Sequence, residues 1–232
     1  ELNKKWSIGS TDIIFYSVSG YSHNPIPPYV AEVANSWRVT GDHKDHWINT
    51  REAIESVAGN TYMSGPYNWA YNDFLMTGGE GCPFDEDPDI PSYHCPGMTH
   101  YEYMAEFAIW AITASPLLVA TDVRNMTETM KYILLNEEII AVNQNYEMPS
   151  GDRIKNATVD CDNVISNACQ VWSRKMNDSA IAVVLLNEGE SDYNVSVKFD
   201  MLSMTWNGES KLKVRDLWEH KDLGQFTGMF MD

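Results

Sequence analysis

Basic side chains are scarce in this 232-residue chain: 16 Lys and Arg stand against 33 Asp and Glu, a formal net charge of −17. That carboxylate excess excludes electrostatic nucleic-acid binding as a default. Long apolar runs are missing too. The longest, Ala180 to Leu186, is strand-sized and far short of the roughly 20 residues a bilayer crossing needs, so a soluble protein with no membrane span is expected. Glu1 to Trp6 lack the basic-then-apolar layout of a secretory signal, so a targeting segment is expected to be absent or already removed. Cysteine is limited to four residues without the doublets of a zinc site. Core-forming residues, by contrast, are plentiful: 44% hydrophobic and 12% aromatic, too rich for a disordered acidic tail.

Two features suggest the secretory pathway. Glycosylation sequons start at Asn125, Asn156, Asn177 and Asn194, and the cysteines fall into two close pairs, Cys82 with Cys95 and Cys161 with Cys169. Loop punctuation in a reducing compartment is the plainer alternative. A pI near 4.6 also suits an acidic lumen, where self-repulsion falls as carboxylates protonate.

Up to about residue 150, strand-like runs alternate with helical stretches. Ile13–Val18 and Asn35–Thr40 read as buried strands, a third lies around Tyr71–Met76, and a fourth at Leu117–Thr121. A short helix fits Tyr29–Ala34, and Asp45–Ala58 carries helical spacing at Trp47, Ile48, Ile54 and Val57 before Gly59-Asn60. Thr99 with Glu102 three residues on is a capping box opening a helix to Ser115, stopped by Pro116; Thr127 opens a last helix through Leu135 and on to Val142. From about Gly151 the texture changes to strands, at Gln170–Lys175, Ala180–Leu186, Tyr193–Phe199 and Leu212–Trp218. About four βα units are present where a closed parallel barrel takes eight over about 250 residues, so half a barrel, or an open four-stranded sheet, precedes an antiparallel β-domain.

Polar residues at the C-terminal strand ends are where a βα barrel places its chemistry. Strand two runs Trp37-Arg38-Val39-Thr40-Gly41-Asp42, strand three ends in Asn72-Asp73, and strand four in Asp122 with Arg124. A carboxylate beside Arg is held ionised, whereas one walled by aromatics is pushed toward the protonated form of a general acid. A rim salt bridge between Arg38 and Asp42, and a helix cap at Asp122, are the bland alternatives. His43 and His46 beside Asp42 and Asp45, with His94, hint at a metal, but one short cluster reads better as solvated helix surface, and no metal is expected.

The ordered motifs Asn35-Ser-Trp-Arg-Val-Thr-Gly-Asp42, Gly65-Pro66 leading to Tyr71-Asn-Asp-Phe-Leu75, Pro96-Gly-Met-Thr99, Phe107-Ala-Ile-Trp-Ala111 with Ser115-Pro-Leu-Leu118, Asp122-Val-Arg-Asn125 and Ala141-Val-Asn-Gln144 resemble glycoside hydrolase family 27, the α-galactosidases and α-N-acetylgalactosaminidases or melibiases. The resemblance covers about residues 11 to 150. It implies the second half of a (β/α)₈ barrel, strands five to eight, over residues 1–148, and an antiparallel β-sandwich over residues 149–232 that is expected to be truncated before its last strands. It implies a retaining hydrolase with Asp42 as acid/base, Arg38 contacting substrate near the reacting carbon, and Asp73 supporting the pocket. Two carboxyls about 5 Å apart would be needed. The family nucleophile, in a Lys-x-Asp strand end, falls upstream of Glu1, so a companion polypeptide carrying the first barrel half is expected. Lys198-Phe-Asp200 looks similar but lies downstream of Asp42 and is expected to be a sandwich strand. In the selecting loop Val18-Ser19-Gly20-Tyr21, Val18 and Ser19 replace the Cys-Glu of typical α-galactosidases. Ser19 and Tyr21 with Trp37 complete the expected substrate-binding set, and the sugar remains open among galactose, N-acetylgalactosamine and β-L-arabinopyranose types. The loop Gly78–Pro96 would overhang the pocket. No cofactor is implied, and a homodimer is compatible with the family. The competing reading is a carbohydrate-binding or structural subunit that has lost catalysis.

Overall fold

The computed structural model describes residues 15–19, 27–79, 97–155, 168–177, 179–189, 191–202 and 207–232. Strands β1 (Ser17–Val18), β2 (Ser36–Arg38) and β3 (Trp69–Tyr71) form a parallel sheet in that order, with Val18 opposite Trp37 and Arg38 opposite Tyr71. Helix α1 (Val30–Val33) connects β1 to β2, and α2 (Trp47–Val57) connects β2 to β3. Each crossover between parallel strands therefore carries a helix, as a parallel sheet requires.

The third strand lies earlier than its apolar run predicts. Asn72 gives its backbone N–H to Ser115 Oγ at 3.0 Å, and Asp73 turns into the left-handed region at φ 72°, so extended pairing stops at Tyr71. Leu75 resumes it in a parallel bridge to Val119, which among the described residues is all the pairing made by the expected fourth strand. Helix α3 (His100–Ile112) opens with the expected capping box: Thr99 Oγ1 accepts from Glu102 N–H, and Glu102 Oε2 accepts from Thr99 N–H at 2.6 Å. It ends three residues short of Ser115, because Ala114 takes a left-handed φ of 54° before Pro116. The predicted long last helix is two, α4 (Glu128–Leu134) and α5 (Glu137–Asn143). Asn136 separates them: its Oδ1 accepts from Glu138 and Ile139 N–H as the cap of α5, while its Nδ2 donates to Leu217 O at 2.9 Å.

The antiparallel part contains β4 (Asp152–Arg153), β5 (Cys169–Lys175) and β6 (Ile181–Asn187) in one sheet. It also pairs β7 (Ser196–Lys198) with β10 (Met229–Met231), and β8 (Leu212–Asp216) with β9 (Lys221–Phe226). The last two strands are additional to the expected set. The Lys198-Phe-Asp200 segment ends β7 and enters a 3-10 turn at Phe199–Met201. Among the described residues no helix is long and apolar enough to cross a membrane.

Strand alternation joins the two parts. In β5 successive side chains point to opposite faces, so Trp172 packs into the core built on Trp37, Ile54, Leu75, Phe107 and Trp110, while Val171 packs with Val195, Val197 and Phe199. Two neighbours therefore anchor two cores. Gly151 lies where these parts meet, and a Cβ there would come within 2.6 Å of Ser173 O and 2.7 Å of Ile112 O, so only glycine fits. Arg174, 1% exposed, donates to the carbonyls of Val142, Asn143, Asn145, Met148 and Pro149, supplying partners that the end of α5 and its following loop would otherwise lack.

Candidate active site

The ends of β2 and β3 converge on one guanidinium. Trp37 and Arg38 point to opposite faces of β2: the indole is fully buried in the core, its Nε1 without a partner, while Arg38 turns toward the strand ends. The structure therefore does not bring Trp37 to the site. Arg38 Nη2 lies 2.5 Å from Asp42 Oδ1 and 3.3 Å from Asp73 Oδ2, and its Nε donates to Thr40 O at 3.0 Å. One cation thus holds two carboxylates from adjacent strand ends through the same nitrogen.

The two carboxylates differ sharply. Asp42 has its side chain 89% exposed, and the hydrogen bond from Arg38, followed by the arginine's charge, lowers its pKa. Asp73 is 7% exposed at its side chain, accepts the His43 N–H at 2.9 Å through Oδ2, and its carbonyl accepts Trp110 Nε1–H at 2.8 Å. Its left-handed backbone is a departure that non-glycine residues seldom adopt, held here by contacts to β2, α3 and the Asp42 loop. Next to it, burial, then the charge of the neighbouring Asp73, pushes the pKa of the Tyr71 hydroxyl up to about 12. Thr40 Oγ1, in sequence between Arg38 and Asp42, is buried and unpartnered, with unused hydrogen-bonding capacity.

Ser19 is exposed just beyond the end of β1. Tyr21 lies outside the described residues, as do His94, Cys82, Cys95, Cys161, Asn156 and most of the loop expected to overhang the pocket. Asp122 caps a 3-10 turn, accepting the Arg124 N–H and pairing with its guanidinium at 2.6 Å, both side chains being exposed, which is the helix-cap arrangement. Cys169 is disulfide-bonded. Asn125, Asn177 and Asn194 are exposed.

His43 and His46 are not the solvated surface that their sequence suggests. His46 is 7% exposed and caps α2, its Nδ1 accepting Asn49 N–H at 3.2 Å. His43 is buried beneath Asp73, stacked on Trp110 with ring centroids 5.0 Å apart. Its neighbour Glu106 is fully buried on α3, accepting Met76 N–H at 2.7 Å and the Thr77 hydroxyl at 2.8 Å. Sequence reasoning missed Glu106. The signal was a lone carboxylate on the face of α3 that also carries Tyr103, Phe107 and Trp110, at the i+3 and i+4 spacing of a buried stripe. Among the described residues no group of three His, Cys, Asp or Glu side chains is arranged to hold a metal ion.

Comparison with known proteins follows the same division. The family model for alpha galactosidase A matches residues 10–145, and that for the alpha galactosidase C-terminal beta sandwich domain matches residues 166–230. Alpha-galactosidase 3 of Arabidopsis thaliana is 33% identical over 215 residues, covering 92% of this chain and 44% of the relative. Alpha-galactosidase of Cyamopsis tetragonoloba is 29% identical, covering 93% and 46%. The chain thus spans about half the length of the curated relatives it matches. Alpha-galactosidase I from Mortierella vinacea shares the fold with a TM-score of 0.73 at 24% identity, covering 94% of this chain and 55% of that one. A GH27 β-L-arabinopyranosidase from Geobacillus stearothermophilus superposes with a TM-score of 0.71 at 25% identity, covering 91% and 46%. A parallel sheet that gathers Arg38, Asp42 and Asp73 at its strand ends, followed by the matching sandwich, places the chain in glycoside hydrolase family 27, the α-galactosidase or melibiase family, to which it belongs.

Proposed function

We propose that this chain forms the acid/base half of a retaining glycosidase that removes terminal α-linked galactose-type residues from oligosaccharides or glycans. The observation that carries the reading is the Arg38 clamp on Asp42 and Asp73 at the C-terminal ends of neighbouring parallel strands. Asp42 is the acid/base, Arg38 contacts the sugar near its reacting carbon, and Asp73 fixes Arg38. Ser19 and Tyr21 belong to the loop that selects the sugar.

A retaining mechanism needs a second carboxylate as nucleophile about 5 Å from the first. That group is supplied by sequence outside this chain, in an upstream segment or a companion polypeptide. Two observations support this. Among the described residues β1 and Val119 each have one pairing neighbour, whereas a barrel strand has two. The relatives matched are also about twice as long. Closing the barrel over Asp42 would desolvate it and oppose the pull of Arg38, moving its pKa toward the range of a general acid. Exposed sequons and the Cys169 disulfide support a secreted or acidic lumenal location.

One observation favours a second reading, a carbohydrate-binding subunit without catalysis: Asp42 is open to solvent and its pKa is lowered, the reverse of what an acid requires. In full-length protein, Asp42→Asn separates the two. The glycosidase reading expects a loss of about 10² to 10⁴-fold in kcat/KM on alkyl α-galactosides, with a much smaller loss in kcat/KM on a dinitrophenyl glycoside whose departure needs no protonation. Equal activity of variant and parent on both substrates contradicts it. Sugar binding without product release by the parent supports the binding subunit. Parallel assays with α-N-acetylgalactosaminides and β-L-arabinopyranosides decide the sugar.

A further inference from the structure

His43 occupies a position that a packing residue would fill with carbon, yet its backbone N–H and both ring nitrogens have partners. Its backbone N–H donates to Asp73 Oδ2 at 2.9 Å. Its Nδ1 lies 2.8 Å from Phe74 O, and because a carbonyl only accepts, Nδ1 carries the proton. Nε2 is then the acceptor for the Thr50 hydroxyl, 2.9 Å away on α2. The residue after Asp42 is therefore tied to the end of β3 by two bonds and to α2 by a third. Behind the ring, Glu106 Oε1 stands 3.6 Å from Nδ1, with both side chains 0% exposed.

The pair is fully buried, and its surroundings are themselves charged or titratable. His43 faces Asp73, Asp45 and His46 as well as Glu106. Glu106 faces Asp45 and Tyr103, and Tyr103 donates its hydroxyl to Asp45 at 2.7 Å. Burial, the largest influence on each, lowers the pKa of His43 and raises that of Glu106 to about 8. Between the lowered His43 value and about pH 8 both side chains are uncharged, the state in which the Phe74 and Thr50 bonds are satisfied. Above about pH 8 the Glu106 proton leaves to solvent, and an anion then competes with Phe74 O for the Nδ1 proton.

We propose that His43 is a positioning residue of this site, with Glu106 as its pH-sensitive backing: the neutral imidazole locks the Asp42 loop onto Asp73, and ionisation of Glu106 loosens that lock. The inference rests on the glycosidase reading and deepens it, since what His43 positions is the Asp42–Arg38–Asp73 group. It acts through those residues and touches no substrate itself.

The test uses full-length protein, its Glu106→Gln, His43→Asn and His43→Leu variants, and an aryl α-galactoside whose dinitrophenolate leaving group removes the need for protonation by Asp42. Glutamine keeps the acceptor for Met76 N–H without a titratable proton, and asparagine places a donor near the Nδ1 position. With this substrate kcat reports deglycosylation, the step in which Asp42 is the base: the parent is expected to lose kcat tenfold per pH unit above about pH 8 with kcat/KM nearly constant, and Glu106→Gln to lose that alkaline limb. His43→Asn should retain kcat within a few-fold, whereas His43→Leu should lose it about 100-fold at unchanged kcat/KM. In the ¹⁵N spectrum of the parent, His43 should show a protonated Nδ1 and a bare Nε2, and its signals should shift near pH 8 only when Glu106 is present. An alkaline limb that survives Glu106→Gln, equal rates for the Asn and Leu variants, or a proton on Nε2 would overturn the inference while leaving the glycosidase intact. If the parent hydrolyses no glycoside at all, the functional reading fails, and the imidazole spectrum alone decides whether the lock exists.

Discussion

Arg174 on β5 and Arg215 on β8 both reach from the sandwich to the same short helix, α5, but in opposite environments. Arg174 is buried, meets no carboxylate among the described residues, and gives its protons to five carbonyls at the C-terminal end of the helix and beyond. Burial pulls its pKa down to about 10, still well above any working pH. Arg215 forms a two-pronged pair with Glu138 in the first turn, both bonds 2.7 Å, and reaches Asp222 at 3.1 Å, with its side chain 41% exposed. His220 also meets Glu138 at 2.8 Å, and these partners hold the Glu138 pKa at about 2. By charge pairing Arg215 looks the stronger tie. Solvent reverses the order, because water replaces the partners of an exposed charge and cannot reach the five carbonyls.

The comparison can be broken most directly at Arg174. Arg174→Met leaves those oxygens unpaired, and a loss of about 3–5 kcal/mol is expected, a drop in Tm on the order of 10 °C. Trp172→Ala, which empties the part of the first core that β5 fills, should cost about 3–5 kcal/mol as well, read from the urea midpoint. Arg215→Ala should leave Tm unchanged within error in moderate salt, despite its two carboxylate partners. If Arg215 proved as costly as Arg174, exposure would not be the deciding variable.

Glu106 sharpens the same contrast through pH. Its carboxyl titrates near pH 8 in the folded chain against an ordinary value of 4.5, so the folded state holds the proton longer than the unfolded state does. Its favourable contribution is complete below pH 4.5 and disappears as pH rises to about 8. His43 has the opposite sign: its folded pKa is below the ordinary 6.5, so its contribution is present above 6.5 and is lost as pH falls through the folded value. Between pH 6.5 and 8 only the Glu106 slope remains. Unfolding free energy should fall across that window in the parent, approaching one proton's worth of about 1.4 kcal/mol per pH unit, and stay flat in Glu106→Gln. A flat profile in the parent would contradict the burial argument.

Much of this was legible in the sequence where local chemistry decides. The Thr99–Glu102 box starts α3 as written, and the runs at Gln170–Lys175 and Ala180–Leu186 pair as the central hairpin of the sandwich. Arg38 and Asp42 were found because four residues at a strand end can share one ion pair. Tertiary demands hid the rest. Trp37 is adjacent to Arg38 in sequence, but alternation sends it to the opposite face. Asn136 looked like helix interior, yet its amide is needed by Leu217 O and its oxygen by the next helix start. His43 looked like one of a surface pair, because nothing local reveals that Trp110, Thr50 and Glu106 close around it. Strands β9 and β10 were passed over because Gly224 and Gly228, both at positive φ, interrupt their patterns.

The central claim is that Asp42 is the acid/base of a retaining glycosidase, and azide tests it most directly. Full-length Asp42→Asn is incubated with dinitrophenyl α-galactoside with and without sodium azide, and the products are identified by NMR. The account predicts that azide raises turnover and yields galactosyl azide of retained α configuration, since the small anion needs no base to attack a glycosyl–enzyme intermediate. Full activity of the variant without azide, or a galactosyl azide of inverted configuration, would contradict it.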